Sequence, residues 1–176
     1  SLPTLKALAD LDYIKLEKKQ ILRDSYHQIT TKQNADKKLT SEQMTALKNI
    51  EIAQHQGKQK FLLYGVTGSG KTQIYIEMAL KARALGKQAL ILVPEIVLTG
   101  QLVTSFKEYF TDDVAVIHSR LSVGERNDTF WRIRTKQIGI IIGARSALFA
   151  PFEDLGLIVM DEEHDSSYKQ DESPRY

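Results

Sequence analysis

The sequence predicts a doubly wound parallel α/β domain, and three features carry that reading. Short runs rich in Ile, Leu and Val recur at residues 60–64, 89–93, 114–117, 138–142 and 157–160. They are apolar almost throughout, as strands become when helices cover both faces of a sheet. Segments with helical spacing of apolar residues lie between them, so the chain alternates strand and helix. The third feature is a glycine-rich turn, Gly65 to Thr72, that joins the first apolar run to a helical pattern.

The elements are taken in chain order. Leu5, Leu8 and Leu11 share one helical face, and residues 13–17 then alternate like a strand. A second alternating run at 20–23 would close a hairpin with it. Residues 30–38 are polar and lysine-rich without periodicity, which predicts a linker. Met44, Leu47, Ile50 and Ala53 mark the next helix, before the strand at 60–64. Ile74, Tyr75, Met78, Ala79, Ala82 and Leu85 form one face of the helix after the glycine-rich turn, and Gly86 suits its C′ position. After the strand at 89–93, Leu98, Leu102, Val103 and Phe106 predict a helix. Ser122 and Glu125 have capping-box spacing for a helix containing Phe130, Trp131 and Ile133. No internal repeat is visible.

Composition bounds the function. The chain has 176 residues, 42% hydrophobic and 26% charged, which describes a soluble globular protein with one substantial core. A formal charge of +2 gives no overall basic field. With no cysteine, disulfides and cysteine-ligated zinc are excluded for this chain. The four histidines, His27, His55, His118 and His164, are too scattered to suggest a metal site. No apolar run approaches the roughly 18 residues of a membrane span and no signal-peptide pattern opens the chain, so no membrane partner and a cytoplasmic location are expected. The opening inside a helical pattern and the polar run at the end lead us to expect a piece of a longer protein.

Gly65-Val66-Thr67-Gly68-Ser69-Gly70-Lys71-Thr72 fits G-x-x-x-x-G-K-[ST]. Glycines allow successive backbone N–H groups to turn inward around an anion, and the helix behind them adds the positive end of its dipole. Lys71 can reach the outer phosphates of ATP, and the Thr72 hydroxyl can hold Mg²⁺. The structural alternative, a glycine-rich turn that binds nothing, is less favoured between a strand and a helix.

The apolar run at 157–160 leads straight into Asp161-Glu162-Glu163-His164. An acid at the carboxyl end of a buried strand is where a P-loop ATPase places its second magnesium contact. Asp161 is therefore the expected magnesium residue, acting through water, and Glu162 the base for the attacking water. A solvated acidic loop is the alternative. His164, alone in a polar turn, reads as exposed. Gln43 could present its amide to adenine, but Thr40 and Gln43 also have capping-box spacing, and spacing alone favours the cap.

Together these motifs resemble a superfamily 2 helicase. TGSGKT, LVPEIVLTGQ, GARSALFAPF and DEEHDSSYKQ resemble more closely the PriA family of primosomal replication-restart helicases, over residues 39–176. The resemblance implies a RecA-like first helicase lobe at 39–164 that binds ATP and Mg²⁺ and contributes to 3′→5′ movement on single-stranded and forked DNA. It implies further partners: other primosome and replication-restart proteins, and a second lobe of the same full-length chain. It makes Gln43 an adenine reader and His164 a link between the nucleotide and DNA sites, beside Lys71, Asp161 and Glu162. Residues 92–101 and 143–147 correspond to DNA-facing motifs, so Thr99, Arg145 and Ser146 are expected to meet phosphates. Arg145 in a surface ion pair is the alternative. Residues 165–176 resemble the start of an aromatic-rich loop, expected to be mobile, in which Tyr168 and Tyr176 could stack on bases. Residues 1–29 resemble the tail of a winged-helix domain. Zinc would belong to a cysteine-rich region outside this chain. Gly100, Arg120 and Ser25 depart from the family's usual Pro, Gly and Pro, which bears on loop shape alone.

Two other functions fit less well. A P-loop ATPase remodelling proteins would not need the GARSA stretch, and DNA-stimulated ATPase activity would separate it. A non-catalytic module holding a partner protein at the fork would be indifferent to Glu162→Gln.

Overall fold

The computed structural model describes residues 2–11, 13–15, 38–66 and 68–169. Its centre is a four-stranded sheet of β1 (Gln88–Leu92), β2 (Val114–Ile117), β3 (Ile140–Gly143) and β4 (Leu155–Met160). The spatial order is β2-β3-β1-β4, and every pairing is parallel. The domain is parallel α/β, as predicted.

Alternation along β1 explains the layers. Ala89, Ile91 and Val93 point into one apolar cluster, while Leu90 and Leu92 point into the other. On the first face lie α3 (Lys71–Ala84), through Tyr75, Ile76 and Ala79, and α4 (Gly100–Phe110), through Phe106 and Phe110. On the second face α5 (Val123–Arg134) contributes Phe130 and Ile133. With both faces covered, β1, β2 and β3 are buried at every position. Trimming Ile141 to Ala would cost about 2–5 kcal/mol.

Helix ends obey local chemistry. The Ser122–Glu125 capping box opens α5, and Gly86 lies just beyond α3 in the left-handed region at φ 73°. Helix α2 (Ser41–His55) buries only Leu47 and lies against α3. Helix α1 (Leu2–Asp10) begins the chain.

The strands end in register. Leu92 pairs with Gly143 and Met160, and Ile117 pairs with Gly143. The loops leaving the four strands therefore emerge along one edge of the sheet, where ligands bind in open α/β folds. Gly143 is required there, because a Cβ would sit 2.6 Å from the Ile117 carbonyl oxygen and 2.7 Å from Ala147 Cβ.

Two strand expectations change. Residues 60–64 join no ladder, and Leu62 and Tyr64 are 78% and 94% exposed, although Leu63 packs on the first cluster. An apolar run becomes a strand only where an edge meets it in register, and among the described residues none pairs with it. Strand β4 correspondingly pairs on one side with β1 and leaves Ile158 and Met160 exposed. Residues 13–15 form a bend and not a strand. The alternating run at 20–23, the linker at 30–37, Thr67 and residues 170–176 lie outside the described residues.

Candidate nucleotide site

The glycine-rich turn is shaped by backbone that side chains resist. Gly68 and Gly70 have φ of 81° and 83°. Gly70 is the N-cap of α3 and offers no side-chain hydrogen bond to that helix, so α3 begins with N–H groups its own cap does not satisfy. Lys71 folds back on the turn, donating from Nζ to the carbonyl oxygens of Gly65 at 2.7 Å and Val66 at 3.3 Å. A phosphate would offer it a charged acceptor in place of these neutral ones. Open glycine backbone, an uncapped helix and a movable lysine are the donor set that a nucleotide phosphate takes.

Gln43 joins α2 to this cradle. The capping box is made: Thr40 N donates to Gln43 Oε1 at 2.9 Å, and Gln43 N donates to Thr40 Oγ1 at 3.2 Å. Its Nε2 also donates to the Gly70 carbonyl oxygen at 3.2 Å. An amide oxygen accepts twice and an amide nitrogen donates twice. One acceptor site and one donor remain, which is what an adenine edge requires. Cap and adenine reader are compatible.

Asp161 comes directly after β4, and its N–H donates to the Leu92 carbonyl oxygen at 2.9 Å. Two tyrosines hold it. The Tyr75 hydroxyl of α3 donates to Asp161 Oδ1 at 2.9 Å, and the Tyr168 hydroxyl donates to the Asp161 carbonyl oxygen at 2.8 Å. Burial first, then the charge of Asp161, pushes both phenols above the ordinary tyrosine range, so both remain O–H donors. Thr72 lies one turn before Tyr75 on the same face of α3. Among the described residues no three His, Cys, Asp or Glu side chains cluster as a metal cage. Mg²⁺ does not need one, since it commonly uses one or two protein oxygens with substrate phosphates and water.

Glu162 adopts φ 47°, in the left-handed region, with its carboxylate partly buried. His164 Nε2 lies 3.6 Å from Glu162 Oε2, while its ring is 74% exposed. The exposure is as the lone histidine predicts, yet it reaches the expected base.

The DNA-side candidates gather less tightly. Thr99 caps α4, its hydroxyl accepting from Leu102 N at 3.4 Å. Arg145 and Ser146 line an open groove of about 330 Å³ with Glu95, Ser119, Phe149 and Ser167. Arg145 Nη1 donates to the Lys169 carbonyl oxygen at 2.8 Å, which places Arg145 beside the Tyr168 segment. Glu95 accepts from the Ser119 hydroxyl and lies below the usual carboxylate range because of it.

The family model for the Type III restriction enzyme res subunit matches residues 36–175. The chain belongs to that family. The chain is also 48% identical to the replication restart protein PriA of Bacillus subtilis over 174 residues, which are 98% of this chain and 22% of that protein. The Haemophilus influenzae protein of the same name is 48% identical over 81% of this chain and 20% of its own length. The Synechocystis protein is 40% identical over the whole chain and 21% of its own. The chain thus spans about a fifth of the length of the curated relatives it matches. The match covers the cradle, Asp161 and the groove, so this res-type segment contains both ends of the candidate site. No helix among the described residues is long and apolar enough to cross a membrane.

Tyr75, Glu95, Ser119 and Phe149 were not singled out by sequence reasoning as functional. Tyr75 falls on an apolar helical face, where it reads as core.

Proposed function

We propose that this chain is the first ATP-binding lobe of a 3′→5′ DNA helicase that works at stalled replication forks in primosome assembly and replication restart. One observation carries the reading: Tyr75 on the cradle's own helix bonds Asp161 at the end of β4. Tyr75 and Asp161 are 86 residues apart in sequence, and on this reading their bond draws the phosphate turn and the acidic turn into one site. The kinship with replication restart proteins supports the DNA substrate.

In this reading the backbone N–H groups of residues 68–72, with the start of α3, bind the nucleotide phosphates. Lys71 leaves the Gly65 carbonyl for the outer phosphates. Thr72 and Asp161 would hold Mg²⁺, which supplies charge screening at those phosphates when bound. Glu162 orients the attacking water and takes its proton, and His164 links that carboxylate to the DNA side. Gln43 keeps its cap and reads adenine with its remaining donor and acceptor. Arg145 and Ser146, with Thr99 at the start of α4, face the DNA backbone, and Tyr168 reports its presence to Asp161. Single-stranded and forked DNA, primosome proteins and a second lobe are the partners, in the cytoplasm.

The test uses a fluorescent ATP analogue with Mg²⁺. Lys71→Ala should weaken binding by about tenfold or more, as loss of charge-assisted bonds to phosphate implies. Equal affinity in both proteins would refute the cradle. In a full-length relative carrying this segment, forked DNA should stimulate ATP hydrolysis, and Glu162→Gln should abolish that stimulation.

A further inference from the structure

Tyr75 is 6% exposed, yet its hydroxyl is not left among the apolar side chains around it. It reaches Asp161 Oδ1 at 2.9 Å, from the turn of α3 just beyond Thr72. We propose that Tyr75 is a positioning residue for magnesium: by donating to one oxygen of Asp161 it fixes the carboxylate rotamer and turns the other oxygen toward the cradle.

The carboxylate itself needs such a restraint. An unrestrained aspartate rotates about two bonds, and ordering it only when the ion arrives would weaken binding. Here one oxygen is tied to a side chain whose ring is locked in the core with Ile76 and Ala79. The Asp161 backbone is tied as well, by its N–H bond to Leu92 and the Tyr168 bond to its carbonyl. Three restraints from three elements hold Asp161, one on its carboxylate and two on its backbone, and Oδ2 is the oxygen this proposal assigns to the ion. An ionised carboxylate can accept at both oxygens, so the tyrosine bond and a magnesium-bound water do not compete. The hydroxyl also carries no charge, so it orients the acid without cancelling the attraction for the ion. Partners of this outer kind commonly matter about 10- to 100-fold to metal affinity.

This inference rests on Asp161 facing Mg²⁺. The experiment measures binding of a fluorescent ATP analogue to this chain across a Mg²⁺ titration, with EDTA as the metal-free reference. Tyr75→Phe removes only the oxygen and keeps the packed ring. It should raise the Mg²⁺ midpoint by roughly tenfold and leave metal-free affinity unchanged. Asp161→Asn should raise the midpoint by itself, and adding Tyr75→Phe to it should change the midpoint no further. An unchanged midpoint in Tyr75→Phe, or an equal shift in the Asp161→Asn background, overturns the positioning role while leaving the cradle intact. An unchanged midpoint in Asp161→Asn overturns the magnesium reading and this inference with it. Tyr168→Phe provides a second variant outside α3: it should shift the midpoint in the same direction, and no shift in either tyrosine variant overturns the restraint.

Discussion

Arg83 and Asp113 meet through two bonds, Nε to Oδ2 at 2.7 Å and Nη2 to Oδ1 at 3.3 Å, over the hydrogen of Gly139. Asp113 Oδ1 also accepts from Gly139 N. The pair thereby ties the end of α3 to the residues that lead into β2 and β3. A Cβ at 139 would lie 2.0 Å from the Arg83 guanidinium carbon. Gly139→Ala should displace the arginine and lower stability by about 1–2 kcal/mol, the worth of hydrogen bonds to charged groups when both ends stay partly wet. Arg83→Ala should cost a similar amount, and the double variant should cost less than the sum. Urea melts give the comparison; strict additivity would mean the two positions are independent.

Gln43→Glu separates two roles. Glutamate completes a capping box as well as glutamine does, so α2 should keep its helicity. It cannot donate to the Gly70 carbonyl or to adenine. Affinity for an ATP analogue should fall about tenfold, and preference over a GTP analogue should shrink, since a site loses discrimination with its donor. Competition binding with both nucleotides measures this. Undiminished preference would leave Gln43 a cap alone.

How much of this molecule is legible in its residues alone? The strands at 114–117 and 138–142 are legible because a sheet covered on both faces writes itself as apolar runs dominated by Ile and Val, interrupted only by the small Ala115 and Gly139. The α5 start is legible because its cap is local. The run at 60–64 misleads, since pairing depends on what lies beside it and not on its own residues. Tyr75 is hidden because a buried ring and a positioned hydroxyl look alike in a helical repeat, and its partner lies 86 positions away. Gln88 is similar: it is fully buried with Nε2 donating to the carbonyls of Ile133 and Ile138, a clasp no spacing rule anticipates.

His118 sets a pH dependence. Burial, and then the neighbouring Arg120, hold its imidazole below the ordinary value of 6.5, against the opposing pull of Glu95 and Glu125. Arg120 N–H donates to its Nδ1 at 3.2 Å, a bond that protonation would remove. Below about pH 6.5 the unfolded chain takes up a proton more readily than the folded one. The stability contributed by the neutral ring is therefore complete above 6.5 and is lost as pH falls toward the depressed folded value. Urea midpoints measured from pH 7.5 to 5.5 should decline, and His118→Asn should flatten that decline. Parallel slopes in both proteins would count against it.

Turnover by this chain alone should be very slow. On the proposed two-lobe reading, an arginine from a second lobe would complete the γ-phosphate site, a contribution of roughly 10³–10⁵ in rate. Arg145 does not replace it, since it is held by Lys169 at the groove. Steady-state hydrolysis at least about 10³ below that of a full-length relative on forked DNA is expected. Equal rates would remove the second lobe from the mechanism.

Glu162 puts a long charged side chain where backbone at φ 47° suits glycine or asparagine better. A laboratory evolution campaign scored on heat tolerance would therefore be drawn to this position and would be rewarded for discarding the carboxylate. On the role proposed above for Glu162, the winners would be sturdier proteins with an idle acidic turn. Any library meant to harden this chain should hold codon 162 constant.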